Sequence, residues 1–166
     1  MPSKRSAVST VPAQDRPRLT AQGRQQIQER IDEIQHARLE ELRPLLAERE
    51  RDERDVATFE RLLAEALELQ ALIDAADVLP AIDEATFDGR LALGMRARIT
   101  VADGSEAWVR PVHPGEAHLD DERISMDSPL ALALLGARVD STVWVAAPSG
   151  LWNCQVLEID VDGART

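Results

Sequence analysis

Apolar residues recur at three- and four-residue spacing along two stretches of the chain. Ile27, Ile31 and Ile34, then after a phase shift Leu39, Leu42 and Leu46, form one narrow stripe with Gln, Glu and Arg between them. Val56, Phe59, Leu62, Leu63, Ala66, Leu69 and Ile73 repeat the pattern. That period belongs to one face of an amphipathic helix. Between the stripes lies a wholly charged octet, Glu48-Arg49-Glu50-Arg51-Asp52-Glu53-Arg54-Asp55. Two stripes of similar length around such an octet predict an antiparallel helical pair folded at the octet, with Ile31, Ile34, Leu42 and Leu46 facing Phe59, Leu62, Leu63 and Leu69. The competing arrangement is one continuous helix from Thr20 to Ala76, about 85 Å long at ~1.5 Å per residue, which needs a partner chain to cover its stripe. The octet contains no Gly or Pro to force a turn, so the pattern favours the hairpin without requiring it. Thr20 is placed as an N-cap with Leu19 as the outer half of a hydrophobic staple. Pro44 removes one hydrogen bond inside the first stripe and predicts a kink.

Beyond Val78-Leu79-Pro80 the period changes. Ala81 to Gly89 reads as a linker, and strand-like runs follow at 96–101, 107–112, 143–147 and 152–159, punctuated by Asp103-Gly104 and Pro148-Ser149-Gly150. Pro129 to Leu135 has helical composition, with Ser128 as N-cap and Gly136 just past the end. Four strands and one short helix make the second unit a small α+β domain. The expected organisation is a disordered tail over 1–17, which lacks apolar periodicity, a coiled-coil hairpin over 18–79, and a β-sheet domain over 80–166.

Charge narrows the choice of partner. With 30 Asp plus Glu against 19 Lys plus Arg, the formal charge is −11, which opposes condensation onto phosphate backbones. Direct DNA binding is not expected, and a basic protein surface is the better partner. A single cysteine, Cys154, precludes an intrachain disulfide and suits a reducing compartment. No apolar run is long enough for a signal peptide or membrane span, so the expected location is the cytoplasm.

Few residues carry chemistry. His36, His113, His118 and Cys154 share no metal-ligand spacing. Trp108, Trp144 and Trp152 fall in strand-like runs and read as core or interface residues rather than base-stacking platforms, because no basic surface accompanies them. The octet offers Glu50, Asp52, Glu53 and Asp55, and carboxylates are the ligands Mg²⁺ prefers. Arg49, Arg51 and Arg54 interleave with these acids, however, and supply neutralising charge and competing bidentate partners. Taken singly, each acid is equally well explained by a solvated helix turn laced with ion pairs.

Motifs add a specific resemblance. Leu19-Thr20-x-x-Gly23, Arg43-Pro44, Gly115-Glu116-Ala117, Ile124-Ser125-Met126-Asp127-Ser128-Pro129, Ala133-Leu134-Leu135-Gly136 and Ala147-Pro148-Ser149-Gly150 together resemble the bacterial Gre family of transcript-cleavage factors and their anti-cleavage relatives. The resemblance implies an α+β architecture in which a coiled-coil hairpin precedes a small FKBP-like domain. It further implies RNA polymerase as partner, with the hairpin in the secondary channel and the C-terminal domain on the channel rim. Carried onto this chain, it puts Glu50, Asp52, Glu53 and Asp55 at the hairpin tip, facing the polymerase active site, and Asp127, Ser128 and Pro129 on the rim.

The departures matter as much. Cleavage-stimulating members carry Gly-Asp-Leu-x-Glu-Asn-x-Glu-Tyr at the tip, and this chain has no Tyr and no such string. His118 stands where the family usually has Asp, and the interval from Gly23 to Val78 is shorter than the family's. The expectation is therefore a monomeric, non-enzymatic polymerase regulator that modulates or inhibits transcription without stimulating cleavage. It holds no cofactor of its own and meets only the Mg²⁺ bound by polymerase. The alternative is a cleavage factor using non-standard tip acids. A prolyl isomerase would need an aromatic-lined pocket that two Phe, three Trp and no Tyr do not supply. A dimeric coiled-coil scaffold would require the continuous helix.

Overall fold

A computed structural model describes residues 16–47 and 52–161. The first fifteen residues of the expected tail, and Glu50 with its neighbours at the centre of the octet, lie outside the described residues.

Thr20 begins the first helix as the pattern predicts. Its backbone is extended and its hydroxyl accepts from Gly23 N–H at 2.9 Å. Helix α1 runs over Ala21–Glu33, a π-helical turn follows over Ile34–Arg38, and α2 covers Leu39–Ala47. The π turn is where the apolar stripe shifts phase. Leu39 N–H donates to Ile34 C=O, so the five-residue step between these two buried side chains occupies one widened turn and both stay on one face. The departure from α geometry thus falls ahead of Pro44, which lies exposed within α2.

Helix α3 spans Glu53–Ala75 and is capped by Asp52, whose backbone is extended at φ −73°, ψ 126°. A continuous helix through Asp52 is excluded. The helices run antiparallel: Arg24 Nη1 donates to Ile73 C=O at 3.1 Å near the root, while Arg30 Nε reaches Glu65 Oε1 at 2.9 Å further along. Ile34, Leu39, Leu62 and Ala66 form one buried cluster with Leu42, Phe59 and Leu69 against it. Leu63, expected on this seam, is exposed instead. One residue turns a helix by about 100°, so the seam that takes Leu62, Ala66, Leu69 and Ile73 leaves Leu63 outside.

Two short strands close the root. Arg18–Leu19 (β1) pairs in parallel with Asp77–Val78 (β2), with Leu79 N–H on Leu19 C=O at 2.7 Å and an ion pair between Arg16 and Asp77 at 2.9 Å. Leu19, Ile27, Ile31, Ile73 and Ala76 are buried beneath them.

The second unit is a five-stranded sheet. Its strands are β3 (Arg96–Thr100), β4 (Glu106–Val112), β5 (Arg123–Ser125), β6 (Thr142–Ala147) and β7 (Gly150–Asp160), in the order β5-β4-β3-β7-β6. The four predicted runs supply β3, β4, β6 and β7, paired antiparallel. Ala97, Ile99, Val109, Val145, Cys154 and Val156 point to one core, covered by the short helix α4 (Pro129–Leu134) through Leu134. Strand β5 was not anticipated, and it pairs parallel to β4. Parallel neighbours need a crossover rather than a tight turn, and residues 113–122 provide it.

Candidate functional site

At the described side of the hairpin tip, Asp52, Glu53 and Asp55 sit at the N-terminal end of a helix 23 residues long. Asp52 Oδ1 accepts from Arg54 N–H at 2.8 Å, so this carboxylate satisfies one of the amides a helix start leaves without a partner. Glu53 and Asp55 occupy the first turn, where the helix dipole favours negative charge. All three are thereby accounted for by helix initiation. Asp52 and Glu53 are exposed and Asp55 half-buried, so the end of the hairpin presents acid to its surroundings. Among the described residues, no three His, Cys, Asp or Glu side chains form a metal-binding group. His113 Nδ1 instead accepts from Gly115 N–H at 3.1 Å, and Cys154 is buried in the sheet core.

The Asp127-Ser128-Pro129 loop is a hydrogen-bonded turn. Ser128 N–H donates to Ser125 C=O at 2.9 Å, Asp127 N–H to Ser125 Oγ at 3.3 Å, and Ser128 Oγ accepts from Ala131 N–H at 3.2 Å. Ser128 therefore holds the loop and starts α4, while Asp127 and Pro129 are exposed beside it. Leu132, on the next turn of α4, is 63% exposed. It adds an apolar contact point that strand and helix patterns did not single out. The structure brings Asp127, Ser128 and Pro129 together in one turn and keeps the tip acids apart from them on α3. Of the three Trp residues, Trp144 is 60% exposed and has no place in the core, whereas Trp108 lies under the Arg96 guanidinium at 4.3 Å.

What sets the hairpin against the sheet is the β4–β5 crossover. Its short turn, Pro114–Glu116, carries Glu116, which is fully buried and takes the backbone N–H and hydroxyl of Thr20. Two glycines permit the approach. A Cβ on Gly23 would overlap the Glu116 carboxylate, and one on Gly115 would come within 2.5 Å of Leu72 Cδ2. Leu119 packs on the root cluster, and buried Arg123 reaches from β5 to Gln26 Oε1 at 2.6 Å and Asp120 Oδ2 at 3.2 Å. Neither Glu116 nor Arg123 was expected to be buried. The matched segments Leu19-Thr20-x-x-Gly23 and Gly115-Glu116-Ala117 are the two halves of this one contact.

Known proteins match the same regions. A family profile described as "Transcription elongation factor, GreA/GreB, C-term" covers residues 87–161. The transcription elongation factor GreA of Thermotoga neapolitana is 30% identical over 152 residues, spanning 86% of this chain and 96% of that protein. GreB of Pseudomonas aeruginosa is 41% identical over 73 residues, 43% of this chain and 42% of its own length. Among solved structures, Gfh1 of Thermus aquaticus is 27% identical with a TM-score of 0.39, covering 87% of this chain and 98% of that one. With a relative at this identity aligned over nearly its whole length, and the C-terminal profile matched across the sheet, the chain belongs to the GreA/GreB family of transcription elongation factors.

Proposed function

We propose that this protein binds RNA polymerase, inserts its hairpin into the secondary channel, and modulates or inhibits transcription without stimulating transcript cleavage. The observation that carries the proposal is Asp52. The acid at the described side of the tip is engaged as a helix cap by Arg54 N–H at 2.8 Å, in a chain that lacks the cleavage string and every Tyr. Carboxylates that hold a catalytic Mg²⁺ must offer oxygens to the metal. A cap interleaved with arginines is a poorer source of them. The hairpin still occupies volume and carries acid, so it acts by obstructing the channel and by its field near the polymerase Mg²⁺.

Rim contact is assigned to Asp127 and Pro129, with Ser128 fixing their geometry. The protein acts as a monomer in the cytoplasm, since the hairpin covers its own seam, and it does not itself bind DNA. The second reading is a cleavage factor in which Glu53 or Asp55 substitutes for the missing acids. It is favoured by their exposure, full at Glu53 and partial at Asp55. A single experiment separates the two: purified polymerase stalled in a backtracked complex is incubated with this protein alone, and then in competition with an authentic cleavage factor. The proposal expects no shortening of the transcript by this protein and loss of cleavage by its competitor. Cleavage by this protein alone would establish the second reading, and failure to compete would remove the shared site.

A further inference from the structure

A cleft of about 150 Å³ lies where the hairpin root, the linker and the sheet meet, with Thr20, Gln22, Leu79, Ile82, Met95 and Arg110 among its walls. The walls are predominantly apolar, and Arg110 brings a cation into them. Arg110 sits in the middle of a row of three arginines, since β4 aligns it with Arg123 on β5 and its antiparallel partner β3 carries Arg96. The two flanking guanidiniums have their own acids: Arg96 pairs with Glu122 at 2.7 Å and Arg123 with Asp120 at 3.2 Å. Among the described residues no carboxylate lies within ion-pair distance of Arg110, and no acceptor takes its side-chain N–H groups. Its burial, and then the charges of Arg123 and Arg96, lower its pKa from the usual arginine value. The Asp120 and Glu122 carboxylates oppose that lowering without pairing with Arg110, so it is a half-buried cation beside two like charges whose guanidinium is open to a ligand from the cleft. Another wall is the start of α1, Thr20 to Gln22, whose positive end is already met by the buried Glu116 carboxylate, so Arg110 is the cation the cleft offers.

We propose that this cleft binds a small amphiphilic monocarboxylate, its carboxylate on the Arg110 guanidinium and its aliphatic body among Leu79, Ile82 and Met95. Arginine presents a planar fork that matches a carboxylate bidentately, and a cavity of about 150 Å³ accepts a body the size of benzene. Apolar walls exclude a bare, strongly hydrated anion such as phosphate. Because Thr20 and Gln22 belong to the hairpin and Met95 and Arg110 to the sheet, an occupant would touch both units and stiffen the angle between them. The site is separate from the tip and the rim loop, and it stands or falls independently of the polymerase reading.

Hexanoate is the probe, with hexan-1-ol as the uncharged body and inorganic phosphate as the bodiless anion, each titrated into the full chain and followed by ¹H–¹⁵N NMR. Hexanoate is expected to shift the amides of Ala21, Gln22, Gly94 and Met95 saturably, with hexan-1-ol and phosphate weaker by at least about 10-fold. Arg110→Gln should weaken hexanoate by a similar factor and leave hexan-1-ol unchanged, while Arg110→Lys retains part of the affinity. Ala81→Phe, at an exposed linker position on the cleft wall, should block hexanoate with Arg110 in place, and it serves if Arg110→Gln does not fold. No saturable shift with hexanoate, equal binding of hexan-1-ol (an adventitious additive only), equal binding of phosphate, or wild-type affinity in Ala81→Phe would each overturn the proposal.

Discussion

The carboxylate of Glu116 receives the backbone N–H and the hydroxyl of Thr20, at 2.8 and 2.6 Å, across 96 residues of sequence. Thr20 caps α1 and Glu116 lies in the β4–β5 crossover, so one buried side chain fixes where the hairpin leaves the sheet. Glu116→Ala should cost about 3 kcal/mol in urea unfolding, since it leaves two buried donors unmatched. Glu116→Gln should cost less, because an amide oxygen still accepts from Thr20 N–H. Gly23→Ala should cost about 2 kcal/mol or more by overlap with the same carboxylate. The double variant Gly23→Ala/Glu116→Ala should lose less than the sum, as the second change removes the atoms the first one strikes. Strict additivity would mean that the clash does not form.

Legibility followed the length of each element. The helices of the hairpin span enough turns for their apolar period to be read, and even the phase shift between Ile34 and Leu39 marked a real π turn. Strands β3, β4, β6 and β7 alternate long enough to be recognised, whereas β1, β2 and β5 have two or three residues each and offer no period. Burial of Glu116 and Arg123 ran against the preference of charged residues for the surface, and their partners Thr20 and Gln26 are nearly a hundred residues away. At the candidate site, the Ser128–Pro129 signal located the start of α4. The exposure of Leu132 depends on which side of a six-residue helix faces the sheet, and no local pattern encodes that.

Cys154 gives a pH-dependent prediction. Burial pushes its thiol above the ordinary 9.0, because the thiolate loses hydration in the sheet core. The folded state therefore holds its proton to higher pH than the unfolded chain does. The associated stability is fully present below the unfolded value and is lost as pH rises through it toward the folded one. Cys154→Ser should remove this alkaline dependence, measured as the urea midpoint between pH 8 and pH 10. The native thiol should also react with a disulfide reagent far more slowly than the urea-unfolded chain, and equal rates would show that the core is open.

Asp127 tests the rim. Its side chain is exposed and its backbone amide is tied to Ser125, so charge can be reversed there with the loop geometry kept. Asp127→Arg should weaken polymerase binding by about 2 kcal/mol if the carboxylate meets a basic rim, with an unchanged circular dichroism spectrum. Leu132→Ser should weaken binding through lost apolar contact, with little effect on salt dependence. Wild-type affinity in both variants would move the docking surface elsewhere.

The tip acids distinguish obstruction from electrostatics. Asp52 caps α3 through Arg54 N–H, so replacing Asp52, Glu53 and Asp55 by Ala should lower stability by about 1 kcal/mol through the lost cap. Polymerase binding should be nearly intact, because the rim loop belongs to the other unit. If the acids act on the polymerase Mg²⁺ through their field, the triple variant should inhibit runoff transcription less at saturating concentration; if the hairpin only fills the channel, inhibition should persist. We expect a reduction. Interleaved arginines attenuate the acidic field without cancelling it at separations near the Debye length of about 8 Å, and Asp52, though held on Arg54 N–H, and Glu53 are both exposed to solvent at the end of α3. Restoring Asp52 alone should recover the stability but only part of the inhibition, which separates the cap from the field. Undiminished inhibition by the triple variant, measured where the wild type is saturating, would leave obstruction as the whole mechanism.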